Sequence, residues 1–167
     1  MSNFQKILKL GNPDLHEVSK NLTKEEHPVA LYKVSEMHDL ILEYRETYGA
    51  GRAIAAPQIG YKRRMIALYM DRPLILINPV LFNHSTEMME LWDDCMSFPN
   101  LLVKVRRHKR CSVRFLDENR TEQVWDLEDD LSELIQHEND HLDGILATQR
   151  AIDDKSFALA SEINVQG

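Results

Sequence analysis

The stretch His137-Glu138-Asn139-Asp140-His141 has the residue types and the spacing of a hydrolytic metal site. At about 3.6 residues per helical turn, the two imidazoles leave the same face and can bind one divalent ion. Glu138 lies beside them, where a carboxylate can take a proton from a water activated by the ion and pass it to a leaving group. Five residues alone also fit an ordinary amphipathic helix with two half-buried histidines, so the rest of the chain must decide.

The elements that would position this motif are short and mixed. Leu31, Val34, Met37, Ile41, Tyr44 and Tyr48 recur every three or four residues, so an amphipathic helix is expected over about 29–48, stopped by Gly49 and Gly51. Apolar, β-branched runs predict strands at 64–70 and 74–78, the second closed by Pro79, with further short strands at 103–105, 111–116 and 123–127. The turn-prone Asp117-Glu118-Asn119-Arg120 joins the last two. A second helix over about 128–142 carries the motif. The first 28 residues read as a mostly extended arm with a turn at Leu10-Gly11-Asn12-Pro13, and 155–163 as a weak helical stretch. The expected fold is α+β, with short, mostly antiparallel sheets packed around the motif helix in one domain over 1–167.

Composition bounds the function. A net charge of −7 over 167 residues argues against general nucleic-acid binding, which needs a basic surface to displace phosphate counterions. No apolar run approaches the roughly 20 residues of a membrane span, and the first thirty residues lack a signal-peptide pattern, so a cytoplasmic protein is expected. The two cysteines, Cys95 and Cys111, are too few for a disulfide framework. Cys111 is read as a core residue of a strand.

Two histidines need a third protein ligand. One zinc-protease pattern places glycine seven and histidine ten residues after the first His; Gly144 fits, but Ala147 stands in the second place. A downstream glutamate from a further helical subdomain has hardly room after His141. The best remaining ligand is Cys95, in Asp93-Asp94-Cys95-Met96-Ser97. One thiolate and two imidazoles leave a fourth position open, as a catalytic site requires.

At this point the chain resembles the peptide deformylases. Their motif Gly-apolar-Gly-apolar-Ala-Ala-Pro-Gln is matched by Gly51-Arg52-Ala53-Ile54-Ala55-Ala56-Pro57-Gln58, their Glu-Gly-Cys-Leu-Ser by residues 93–97, and their His-Glu-x-x-His by His137 through His141. The blocks occur in the family's order, with Gln136 before the third and Leu142-Asp143-Gly144 after it. The resemblance implies that Cys95, His137 and His141 hold one divalent ion, Fe(II) above all, with zinc, nickel or cobalt as substitutes. It implies that Glu138 acts as base and then acid, and that the Gln58 amide and the Met96 backbone N–H donate to the developing oxyanion. The implied reaction is hydrolysis of the N-formyl group from formyl-methionyl peptides, releasing formate, on nascent chains at the ribosome. Ser97 is read as bonding to local backbone, and Asp140 as sitting in solvent.

Several residues depart from the family pattern where it meets its substrate. Asp94 replaces a glycine beside Cys95, Arg52 an apolar residue, and Ala53 the second glycine. Asp93 shortens a glutamate and is expected to pair with a base such as Arg107. Asp130 and Glu133 precede His137 by seven and four residues and project towards the expected substrate side, near Leu134. Either these acids turn to solvent or pair with Arg52, or Arg52, Glu133 and Asp130 build a polar pocket around Ala53 and Ile54 for another formylated substrate. A paralogue that binds metal without turnover is the third reading; the presence of Glu138, which metal retention does not need, speaks against it.

Overall fold

The structure is a computed structural model and describes residues 3–163. Two helices and eight strands follow in the order α1 (His27–Tyr48), β1 (Ala53–Ala55), β2 (Met65–Tyr69), β3 (Pro73–Phe82), β4 (Met88–Asp93), β5 (Leu101–His108), β6 (Arg110–Leu116), β7 (Glu122–Glu128), α2 (Asp129–Leu142) and β8 (Phe157–Leu159). The strands form two antiparallel sheets, a five-stranded one in the order β1-β2-β3-β6-β7 and a three-stranded one in the order β4-β5-β8.

The continuous apolar runs of β1 to β3 arise because the large sheet is covered on both faces. Successive strand residues point to opposite sides. Ile54, Met65, Ala67, Ile75 and Ile77 pack with Val34, Met37 and Ile41 of α1. Ala53, Ala55, Ile66, Leu68 and Leu76 pack on the other side with Leu134, Ile135 and Leu142 of α2. The small sheet covers α2 from its other side, where Val103 and Val105 cluster with Cys95 and Phe98. The motif helix is thus held between two sheets. Burying Ile135 completely contributes roughly 1.5–3 kcal/mol to that docking.

Three expectations are corrected, and one strand appears that no pattern announced. Pro79 does not end its strand: β3 continues to Phe82 because the register shifts between Ile77 and Val80, and this bulge, with Asn78 at φ 50°, takes the residue that lacks an N–H. Strand β4 had no apolar alternation strong enough to announce it; pairing with β5 creates it. The stretch 155–163 is not helical. Phe157–Leu159 extends along the free edge of β5, followed by a 3-10 turn at Ala160–Glu162. The N-terminal arm is not simply extended either, since it contains 3-10 turns at Asn3–Lys6 and Pro13–His16. Its backbone stitches the motifs together: Leu8 N–H donates to the Gln58 carbonyl at 2.8 Å, Leu10 N–H to that of Ser97 at 2.9 Å, and Ser19 N–H to that of Leu142 at 2.8 Å.

Candidate metal centre

Helix α2 delivers two of the three expected ligands, and its placement is over-determined. Near its start, Ser132 Oγ donates to the His108 carbonyl, and the Gln136 amide both accepts from His108 N–H and donates to the same carbonyl, which locks the helix to the end of β5. At its end, Arg64 Nη1 joins the Ser19 N–H on the Leu142 carbonyl, donating at 3.0 Å and placing a favourable positive charge at the helix terminus. Gly144 then turns the chain at φ +72°, and a Cβ there would lie 2.4 Å from the His16 carbonyl oxygen. Only glycine allows the arm to pass so close.

Cys95 comes from the turn after β4. Its Sγ lies 3.3 Å from His141 Nε2, and one ligand atom from each of Cys95, His137 and His141 can be chosen so that all lie within 4.8 Å of one another. All three residues are buried. Among the described residues this is the one such group of His, Cys, Asp or Glu donors. His137 Nδ1 lies 2.8 Å from Asp93 Oδ2. An ionised carboxylate can only accept, so Nδ1 carries a proton and Nε2 is the nitrogen left to face an ion, which would displace any proton there. Burial pulls the imidazole towards neutrality, but Asp93 and Cys95 together hold its pKa well above the usual histidine range. Burial and the neighbouring His137 push His141 the other way, towards the neutral form that ligates.

Asp93 is itself fixed by Arg107, as expected for the shortened acid. Arg107 is 4% exposed; its Nη2 donates to Asp93 Oδ2 at 3.0 Å and its Nη1 to Asp140 Oδ2 at 2.7 Å. Against the burial that raises it, His137 and Arg107 keep the Asp93 carboxyl below its ordinary value. Asp140 does not sit in solvent, contrary to expectation: it is buried and accepts from Arg107 and from Arg150. Helical position alone put it beside the motif, but a buried guanidinium from β5 was needed to draw it inward.

Glu138 and Gln58 converge on the same cleft, which has a volume of about 510 Å³. Burial lifts the Glu138 carboxyl to about 7, with Asp93, Glu133 and Asp94 adding to the rise against His137, and its Oε2 has no hydrogen-bond partner. A thiol, two imidazoles and an orphaned buried carboxylate oxygen suit a divalent ion with an activated water. Gln58 is 1% exposed; its Oε1 accepts from Ala55 N–H, which orients Nε2 towards Ser97 Oγ at 3.0 Å and Cys95 Sγ at 3.5 Å. Ser97 therefore bonds to the Gln58 side chain, a contact with no sequence signal. Met96 lines the cleft, and its Cε would lie 3.1 Å from a Cβ added at Gly51.

The same architecture is found among known proteins. The polypeptide deformylase family matches residues 4–157. Peptide deformylase 1 of Prochlorococcus marinus is 34% identical over 98% of this chain and 88% of its own, and the Treponema pallidum enzyme 35% identical over 87% and 86%. The crystal structure of the Thermotoga maritima peptide deformylase superposes with a TM-score of 0.80 at 28% identity, covering 88% of this chain and 97% of its own. That of Synechococcus elongatus, in complex with actinonin, gives 0.77 at 26% identity over 89% and 79%. The chain belongs to the polypeptide deformylase family. It is a hydrolase of linear amide bonds in a metal-dependent family, and the resemblance read from its three motifs is confirmed.

The deformylase cleft gathers most but not all of the residues expected to meet substrate. Arg52, Ala53, Glu133 and Leu134 line it. Ile54 does not: it is fully buried on the α1 side of the sheet, since strand alternation sends it opposite to Ala53. Asp130 is exposed and absent from the lining, because the helix begins only at Asp129 and its first turn lies beyond the cleft. Asp94 is exposed at the rim, and its backbone is outside the left-handed region, so it imposes no strain of that kind. Ala53 fits in β1 at 6% exposure. Cys111 is a core residue, 3% exposed. Arg45, missed by sequence reading, anchors the first motif to α1 through the Gly51 and Tyr69 carbonyls.

Proposed function

We propose that Cys95, His137 and His141 hold one divalent ion, with Glu138, Gln58 and Met96 completing the machinery for removing the formyl group from formyl-methionyl nascent peptides. The function itself, N-formyl removal with release of formate, follows from family membership. The observation that carries the residue assignment is the convergence of three buried donors within 4.8 Å of one another in a cleft shared with Glu138 and Gln58.

When bound, the ion would lower the pKa of a water and polarise the formyl oxygen. The chain does the rest. Glu138, with its carboxyl near 7, takes a proton at Oε2 and returns it to the departing amine nitrogen. Gln58 Nε2, already oriented through Oε1, donates to the oxygen that gains charge, with the Met96 N–H as a second donor. Arg52, Ala53, Glu133 and Leu134 contact the first residue of the peptide. Nitrogen and sulfur donors suit Fe(II), zinc, nickel and cobalt; Fe(II) is the reading taken from the resemblance.

The chain is read as one domain acting in the cytoplasm on formylated peptides as they leave the ribosome. No helix among the described residues is long and apolar enough to cross a membrane. A crystal structure of the Acinetobacter baumannii class I type b peptide deformylase contains bound Met-Ala-Ser, a peptide of the kind such a reaction leaves behind. Formate release from formyl-Met-Ala-Ser by anaerobically Fe(II)-loaded protein tests the reading, with Glu138→Ala as the blank. Turnover lost in the variant supports it; equal release from both proteins overturns it.

A further inference from the structure

The face of α2 that carries Asn139 and Asp143 borders a second cavity, of about 510 Å³, which shares no lining residue with the catalytic cleft. His84, Met88 and His108 line it. The rings of His84 and His108 stand 4.7 Å apart between centroids, at 59°, close to the 5.0 Å and 68° of His137 and His141, the pair assigned to the catalytic ion. His108 Nδ1 lies 2.8 Å from the Ser85 carbonyl oxygen. A carbonyl only accepts, so Nδ1 carries a proton and Nε2 is left to face an ion. Met88 is the register partner of His108 across β4 and β5, so both side chains leave the same face of the small sheet, with Cβ atoms about 4.5–5.5 Å apart.

The backbone that presents these donors is already fixed. The loop bearing His84 is pinned to the turn between β5 and β6: Ser85 N–H donates to the Arg110 carbonyl at 2.8 Å, Arg110 N–H to Ser85 Oγ at 3.0 Å, and Lys109 N–H to the Glu87 carbonyl at 3.0 Å. An ion would have little ordering of the chain to impose. His84 and Met88 are exposed, so it can reach them from solvent.

The donor set also chooses the ion. Imidazole suits copper, zinc, iron and nickel, whereas a thioether is a soft donor that favours copper(I) among them. Charge points the same way. Arg64, Arg106, Arg107 and Arg150 border the cavity, each held by a carboxylate, and the repulsion they leave is smaller for a monovalent ion than for a divalent one. We propose that His84, His108 and Met88 form a second metal site, separate from the catalytic centre, that takes copper(I) through two imidazole nitrogens and one thioether sulfur. It stands independently of the deformylase reading.

Zinc-loaded protein is titrated anaerobically with copper(I) supplied on a chromophoric chelator, and zinc release is measured in parallel. The parent is expected to take one copper per chain without losing its zinc. His84→Ala and Met88→Leu change exposed side chains outside the catalytic centre. Each is expected to weaken that copper by at least the roughly 10- to 100-fold that loss of a residue merely orienting a ligand costs a metal site. X-ray absorption at the copper edge is expected to show nitrogen and sulfur neighbours in the parent and to lose the sulfur in Met88→Leu. Copper bound only in exchange for zinc, or copper bound beside retained zinc with unchanged affinity in either variant, overturns the proposal.

Discussion

Arg107 and Arg106 are adjacent in β5 and face opposite sides of it, which makes them a controlled pair. Arg107 is 4% exposed and bridges two buried carboxylates, whereas the Arg106 side chain is 55% exposed and pairs with an exposed Glu90. Replacing Arg107 by methionine preserves most of the stem volume, so little cavity forms. It leaves Asp93 with His137 alone and Asp140 with the half-exposed Arg150. Breaking a buried pair by removing one partner costs about 3–5 kcal/mol. Set against a total stability of about 5–15 kcal/mol, that is a large fraction. Arg106→Met, by contrast, removes a solvent-screened surface pair and is expected to cost far less. Urea unfolding of metal-free protein at pH 7 measures both, with the slope m expected to stay constant. The same change loosens Asp93 and hence the orientation of His137, so metal affinity is expected to fall about 10- to 100-fold in Arg107→Met and not in Arg106→Met. If the two variants lose equal stability, the buried bridge does not carry the weight assigned to it.

Gly144→Ala combines a left-handed backbone, costing about 1–2 kcal/mol, with a backbone clash at His16 of the overpacking kind, about 1–3 kcal/mol, so a fall of several degrees in Tm is expected; an unchanged Tm would show that the arm is not held there. Glu138→Ala is expected to keep one ion per chain by metal analysis while formate release falls about 10²- to 10⁴-fold, and loss of the metal instead would make Glu138 a ligand. The Arg63 hydrogen bonds hold the Glu26 carboxyl down at about 2, below its unfolded value of about 4.3. Its contribution is therefore complete above the unfolded pKa and lost as pH falls through the folded one. Glu26→Gln should accordingly lower Tm at pH 7 and by much less near pH 2, where the folded carboxyl is itself being protonated; a gap of the same size at both pH values refutes the assignment.

The chemistry was legible in the chain because it depends on residue type and short spacing. Two histidines four apart on a helix must share a face, the carboxylate between them must lie close, and an isolated cysteine invites a ligand role. The long helices announced themselves for the same local reason, through a repeat every three or four residues. The apolar runs of β2 and β3 pointed to strands, though not to which helix each face would meet.

What the chain alone left open was everything decided by partners far away in sequence. Asp140 is drawn inward by Arg107 from β5, Ser97 is engaged by Gln58 from the 3-10 turn after β1, and Phe157–Leu159 becomes a strand because β5 has a free edge. Of the acids set towards the substrate side, Glu133 is captured by Arg52 and Asp130 stays in solvent, though both lie on one helical face. The two differ only in whether the other wall of the cleft reaches them. Local patterns report a residue's periodic position; burial, pairing and charge state are set by long-range contacts, and only the tertiary structure brings those together.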